Sequence, residues 1–172
     1  LASCYSFAID KDPDAVCAPV YTQSTDETIA AEGKPASSVS EVYAQSINDL
    51  EEALELIPET YVRDAKHKID NEVVLGILSR ACLYARQWEK AKTYSDKLLT
   101  KNNYLMTERE YKAGFNSVDN KEWIWGHAQT NDQSNASYQF HYLDTTTKGS
   151  YYYSFNVDPY FRDLFEDGDY RK

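Results

Sequence analysis

Residues 71–99 read NEVVLGILSRACLYARQWEKAKTYSDKLL, and the spacing of their apolar side chains decides the fold. Val74, Ile77, Leu78, Ala81 and Tyr84 or Ala85 recur every three to four residues, which puts them on one face of a helix. Trp88, Ala91, Tyr94, Ser95, Leu98 and Leu99 do the same in a second helix. Arg86-Gln87 is left as the turn between them. Ala81 and Ala91 carry little bulk, so they mark where the two helices cross most closely. Trp88 is large enough to cover the turn and is expected to bury itself against the preceding helix.

An antiparallel pair of this length, with small residues at the crossing and an aromatic beside the turn, resembles a tetratricopeptide unit. The string Arg86-Gln87-Trp88-Glu89-Lys90-Ala91 is similar to the turn of that repeat. One unit cannot bury both of its faces, and roughly three are usually needed for a stable stack. An earlier helix, Val39 to Ile57, can pack on the pair, with Val39, Val42, Tyr43, Ile47, Leu50, Ala53, Leu54 and Ile57 as its stripe. No second copy of the motif stands out. The chain therefore reads as a small bundle around one unit or as a piece of something longer.

The remaining elements follow from caps and breakers. Ser38 with Glu41 three residues on fits a capping box, with Ser40 as the other candidate cap, and Pro58 stops the helix. Glu51, Glu52 and Glu55 read as its solvated face. Glu59 to Ile69 is a polar connection carrying Arg63, Lys66, His67 and Lys68, with His67 taken as a surface residue without a partner. Asp70 or Asn71 caps the central pair, and Asn102-Asn103 suits a left-handed helix exit.

Towards the front, Leu1 to Phe7 reads as the tail of a helix. Lys11 to Thr28 is rich in turn formers, with Ala18-Pro19-Val20-Tyr21 as a short extended segment and Gly33-Lys34-Pro35 closing the loop. Glu108 to Phe115 is expected to be a short helix ending near Gly114. Glu122 to Ala128 alternates and is aromatic, which reads as a strand. Val157 to Phe165, with Pro159 in its first turn, is expected to be a helix ended by Gly168. Between these last two lies Thr130 to Ser154, a long polar stretch holding Tyr138, Tyr142, Tyr151, Tyr152 and Tyr153. Long loops in compact domains are usually functional or disordered, and so many aromatics argue against disorder.

The chain's 172 residues fit one domain, 1–172. Aromatic residues make up 14%, and 15 of them are Tyr. Tyr has an apolar body and a polar tip, which suits half-wet binding faces. The net charge of −10 argues against nucleic acid, whose phosphates demand clustered Lys and Arg, and disfavours an anionic membrane surface. No apolar run reaches the ~18 residues of a membrane-spanning helix. With three Cys there is no disulfide framework. The spacing of Cys4 and Cys17 leaves their pairing open, and Cys82 reads as a small core residue. Leu1-Ala2-Ser3-Cys4 resembles a lipoprotein processing box but has no charged and apolar segment before it, so lipid attachment is not expected at this Cys4. The front of the chain, without Met or export signal, reads as trimmed or processed.

Several of these segments, in order, resemble the SusD/RagB family, the outer-membrane glycan-binding lipoproteins of Bacteroidetes. Val16-Cys17-Ala18-Pro19-Val20-Tyr21 is similar to the family's short apolar segment before a Thr-rich loop. Ser38 to Pro58, with Val42-Tyr43 and Asp49-Leu50-Glu51-Glu52-Ala53, resembles its first conserved helix. Ala81 to Leu99 looks like its helix pair, Glu122-Trp123-Ile124-Trp125 like its strand, and Leu164 to Arg171 like its ending. Two departures stand out. Tyr170 takes the place of a usual Pro, and Arg63 to Lys68 lacks the usual glycine-rich approach to the second helix.

The resemblance covers most of the chain from about Ala15 and makes it look like a central fragment of a longer member. It implies a mainly α fold: a SusD-like, tetratricopeptide-like helical scaffold with long decorating loops and a short strand. It also implies an outer-membrane, cell-surface protein, lipid-anchored through a Cys upstream of residue 1. Such a protein holds an oligosaccharide or glycoconjugate at the mouth of a TonB-dependent, SusC-like transporter. It implies neither catalysis nor a cofactor, and no site residue transfers by motif.

The residues themselves agree on the chemistry. Glycoside hydrolysis needs two carboxylates placed across a bond. Asp167 and Asp169 are the tempting pair, but they fit a helix exit better. His67, His127 and His141 lack metal-ligand spacing, and there is no nucleophile elbow, phosphate loop or CxxC. No catalytic or metal site is therefore expected. Flat aromatic faces stack on sugar rings while Asn, Gln and Asp meet the hydroxyls. Tyr138, Tyr142, Tyr151, Tyr152 and Tyr153, with Trp125 behind them and Asn131 to Asn135 nearby, are the candidate ligand-binding set. The alternative is a peptide- or protein-binding adaptor, which would use a concave groove lined by helix residues instead.

Overall fold

The computed structural model describes residues 9–114, 117–128 and 157–172. The helix tail expected at Leu1 to Phe7 and the tyrosine-rich stretch lie outside the described residues. The elements run β1 (Val16–Ala18), α1 (Glu27–Glu32), β2 (Ser37–Ser38), α2 (Val39–Leu56), α3 (Asn71–Tyr84), α4 (Trp88–Lys101), α5 (Glu108–Lys112) and α6 (Pro159–Arg162). The chain divides into two compact units, one formed by Leu1–Leu105 with Asp119–Gly126, the other by Met106–Val118 with His127–Lys172.

The first unit is a three-helix arrangement in which α3 packs against both α2 and α4. Its helices begin where the caps predict. Ser38 Oγ accepts the Glu41 amide while the Glu41 carboxylate accepts the Ser38 amide, which satisfies two otherwise orphaned donors. Asp70 accepts the Val73 amide at 3.0 Å and so opens α3. Ile47, Leu78, Cys82, Ala85 and Ala91 form the core, with Tyr43, Leu50, Leu54, Ala81 and Tyr94 packed around it. Small residues do stand at the crossing of α3 and α4, as the spacing requires, although Ala85 is more deeply buried there than Ala81.

Because α3 is sandwiched, its stripe is wider than one face. Val73, Val74, Leu75 and Leu78 are all buried, whereas Ile77 and Tyr84 are exposed on its outer edge. Trp88 also departs from expectation: it is 52% exposed rather than buried. It is the first residue of α4, beside the turn, and its ring is covered on one side by the Arg86 guanidinium at 5.2 Å. Arg86 itself takes the left-handed conformation that reverses the chain, with φ 60°. The expected left-handed exit at Asn102 is not there; α4 ends with Asn102 in extended backbone.

Glu51 also differs from its expected role as part of a solvated face. It accepts from Lys90 Nζ at 2.8 Å and from Tyr94 Oη at 2.6 Å, tying α2 to α4. These bonds hold its carboxyl below the usual range, Lys90 contributing most. Burial, and then the bond to Glu51, push the Tyr94 phenol up to about 12.

Ahead of α2, β1 and β2 pair antiparallel, with Val16 opposite Ser38 and Ala18 opposite Ser37. The extended segment thus lies slightly earlier than expected and ends before Pro19, which has no amide to donate. Helix α1, capped by Asp26 and ended by Gly33 at φ 70°, falls in a stretch that read as irregular.

Among the described residues, the second unit carries two short helices. In α5, Thr107 and Glu110 form a capping box. In α6, Asp158 is the cap and Pro159 the first residue, but the helix has a single turn instead of continuing to Phe165. Phe161 and Phe165 meet edge to face at 5.5 Å, and Tyr111 and Tyr170 at 5.2 Å.

Candidate functional site

Trp125 is the one member of the expected ligand-binding set among the described residues. Tyr138, Tyr142, Tyr151, Tyr152 and Tyr153 lie outside them. Its segment is not the strand that the alternation of residues 122–128 suggests. Residues 121–125 make turns and bends, beginning with the Trp123 amide donating to Asn120 O at 3.2 Å. Among the described residues no neighbouring strand takes up its backbone. The polar connection of residues 63–68 does so instead, which is why a sheet pattern yields a docked loop.

That docking is specific. The Gly126 amide donates to Lys66 O at 3.3 Å, and the Trp125 indole Nε1 donates to His67 O at 2.9 Å. Ile124 O accepts from Arg63 Nη2 at 2.5 Å, and Lys66 Nζ donates to Asn120 O. Trp125 is therefore held at its indole nitrogen and at the backbone groups on either side. The residue is nevertheless 56% exposed. With the N–H already used, what the ring offers to a ligand is an apolar face. Burial, more than the nearby Arg63 charge, lowers the Lys66 ammonium below its ordinary value.

Arg63 lies at the centre of this arrangement and is largely buried, its side chain 14% exposed. Its Nε pairs with Asp70 at 2.8 Å, and its Nη1 donates to Lys66 O at 3.3 Å and Lys68 O at 3.2 Å. A planar fork of five donors can meet one carboxylate and three carbonyls at once. Sequence reasoning passed over Arg63 and saw His67 as partnerless. The only sequence signal was a basic run in an acidic chain.

The tempting carboxylates Asp167 and Asp169 lie in the second unit, at a chain turn. Arg171 grips Asp169 through side-chain and backbone bonds, which depress its carboxyl to about 2. Asp167 pairs with Lys172 at 2.7 Å. A carboxyl that stays ionised at neutral pH is a poor proton donor for glycoside cleavage. Among the described residues no cluster of His, Cys, Asp and Glu is arranged to hold a metal, and no helix is long and apolar enough to cross a membrane.

A concave feature lies on the helices of the first unit. It is a groove of about 400 Å³ whose walls include Val42, Leu50, Ile77, Ala81 and Tyr84, with Pro19 at its edge.

In the crystal structure of a SusD-like carbohydrate binding protein from Bacteroides vulgatus ATCC 8482, the matching part is 97% identical to this chain, with a TM-score of 0.91, over 99% of this chain and 36% of that protein. The chain belongs to the SusD superfamily. A SusD superfamily protein of the same organism matches at 24% identity and a TM-score of 0.56, over 64% of the chain and 25% of that protein. A SusD superfamily protein from Bacteroides fragilis matches at 19% identity and a TM-score of 0.52, over 63% of the chain and 24% of that protein. These two share the fold. No protein-family model and no curated protein matches the chain. The chain spans about 36% of the length of the first of these relatives.

Proposed function

We propose that this chain is part of a non-catalytic glycan-binding protein of the cell surface. In this reading the protein is anchored to the outer membrane by a lipid on a Cys upstream of residue 1. It presents an oligosaccharide or glycoconjugate to a SusC-like, TonB-dependent transporter for uptake. The observation that carries the reading is Trp125: a half-exposed indole fixed at its nitrogen and on both backbone flanks. Such a surface suits sugar rings, whose CH faces are apolar. The 97% identical relative, described as carbohydrate binding, supports the same class of ligand. Tyr138, Tyr142, Tyr151, Tyr152 and Tyr153 are proposed as the rest of the stacking surface.

The test is a glycan array with the full-length protein, followed by calorimetry on Trp125→Ala and on Tyr→Ala variants at the five tyrosine positions. Loss of each stacking ring is expected to weaken binding by roughly 1 kcal/mol or more. A ligand bound equally well by all six variants would place the site elsewhere.

A second reading has its own observation. The apolar groove along α2 and α3 is the concave surface that a peptide-binding adaptor would use. Binding of peptides with no binding of glycans, lost on Ile77→Glu, would favour it.

A further inference from the structure

Trp125 is held through a set of contacts that all lead back to one side chain. Lys66 O accepts from both the Gly126 amide and Arg63 Nη1. His67 O, which accepts from the Trp125 indole, lies between the two carbonyls that Arg63 gathers, those of Lys66 and Lys68. Arg63 also reaches Ile124 O directly. Its fourth partner is Asp70, which caps α3 at the same time. The guanidinium thus connects a helix cap, the 66–68 backbone and the Trp125 segment, and its burial keeps water from substituting for these bonds.

We propose that Arg63 is the positioning residue of the Trp125 platform: it fixes the indole in one orientation against the scaffold without itself touching the ligand. The proposal rests on the reading of Trp125 as a sugar-stacking surface. Lysine preserves the charge and the pairing with Asp70 but has one nitrogen where arginine has three. It cannot hold Asp70, the loop carbonyls and Ile124 O together. A fixed aromatic gives up less freedom when a ring stacks on it than a loose one. Arg63 therefore acts on affinity through Trp125.

The experiment labels the full-length protein with 5-fluorotryptophan and assigns the Trp125 resonance by its loss in Trp125→Phe. Arg63→Lys is expected to shift that resonance towards the position of a solvated indole and broaden it, while the Trp88 resonance changes little. Asp70→Asn keeps a capping side chain and is expected to move the Trp125 resonance in the same direction by less. Cellohexaose, a neutral chain with flat CH faces, serves as the binding probe. If the parent binds it, Arg63→Lys should weaken binding roughly two- to tenfold, and Trp125→Ala by at least as much. A Trp125 resonance unchanged in Arg63→Lys overturns the proposal, with or without sugar. A resonance that moves as expected while Trp125→Ala leaves cellohexaose binding intact upholds Arg63 as the positioning residue and overturns the stacking role of Trp125 instead. If Arg63→Lys fails to fold, the Asp70→Asn spectrum decides.

Discussion

Gly76 lies inside α3, on the side that meets α4, but its place there does not require a glycine. A Cβ built on Gly76 meets only the tip of a side chain, Leu98 Cδ2, at 3.7 Å, which is ordinary van der Waals contact. Its backbone is helical, so the residue's freedom to take positive φ is not used. Glycine in a helix interior costs about 0.8–1.0 kcal/mol relative to alanine, through the entropy it loses on folding. The added methyl contributes a few dispersion contacts of about 0.1–0.2 kcal/mol each. Gly76→Ala should thus stabilise the protein by about 1 kcal/mol, or about 2–4 °C in Tm for a domain of this size. Gly76→Leu should do the reverse, because three further carbons must displace Leu98, at a cost of about 1–3 kcal/mol. Urea unfolding of the two variants beside the parent decides the matter. A destabilised Gly76→Ala would mean that Leu98 leaves less room at position 76 than a 3.7 Å contact implies, and the packing account of the helix pair would fall with it.

Ala91, buried where α4 crosses α3, should tolerate no enlargement: Ala91→Leu is expected to cost about 1–3 kcal/mol by overpacking, read from thermal unfolding. Tyr94→Phe removes the hydroxyl bond to Glu51 and should cost about 1 kcal/mol at neutral pH. Since the folded Tyr94 pKa is raised to about 12 from about 10 in the unfolded chain, its contribution is full below pH 10 and lost as pH rises through 12; the parent and Tyr94→Phe should converge in stability across that window. Glu51 runs the other way, its folded pKa being lowered. Its contribution is present above the ordinary carboxylate range and lost as pH falls below it, so acid unfolding of Glu51→Gln should be less steep than that of the parent.

Helices α2 and α3 were legible because each was specified several times over. Apolar spacing, an N-cap and a breaker agreed for α2 at Ser38 and Pro58, and apolar spacing agreed with the cap at Asp70 for α3. Such agreement across levels is what makes a sequence foldable. What failed was inference about which side of a correctly placed helix faces solvent. Ile77 and Tyr84 share a helical stripe with Leu78, yet they lie at the edge of the sandwich because α3 has neighbours on two sides. Trp88 shares the spacing of the α4 stripe and was assigned to the core with it, but as the first residue of α4 it stays exposed beside the turn, where Arg86 covers one side of it. Residues 122–128 failed for a different reason. Alternation describes a chain with one wet and one dry face, and a loop docked on another loop can meet that description as well as a strand can.

The Trp125 arrangement was the least legible part, although both halves were visible separately. Arg63 and Ile124 are 61 residues apart in the chain, and their link is a side-chain donor to a backbone carbonyl. Every residue has such a carbonyl, so no residue type at position 124 announces the contact. The same holds for His67, whose imidazole drew attention while its carbonyl receives the indole. An aromatic that is exposed and yet tied down by hydrogen bonds differs physically from one that is merely exposed. The first has already given up its conformational freedom during folding, so a flat ligand that lands on it does not have to. Composition could say that this chain is rich in such rings. Only the three-dimensional pairing of a basic loop with an aromatic one picks out the ring that is held in place.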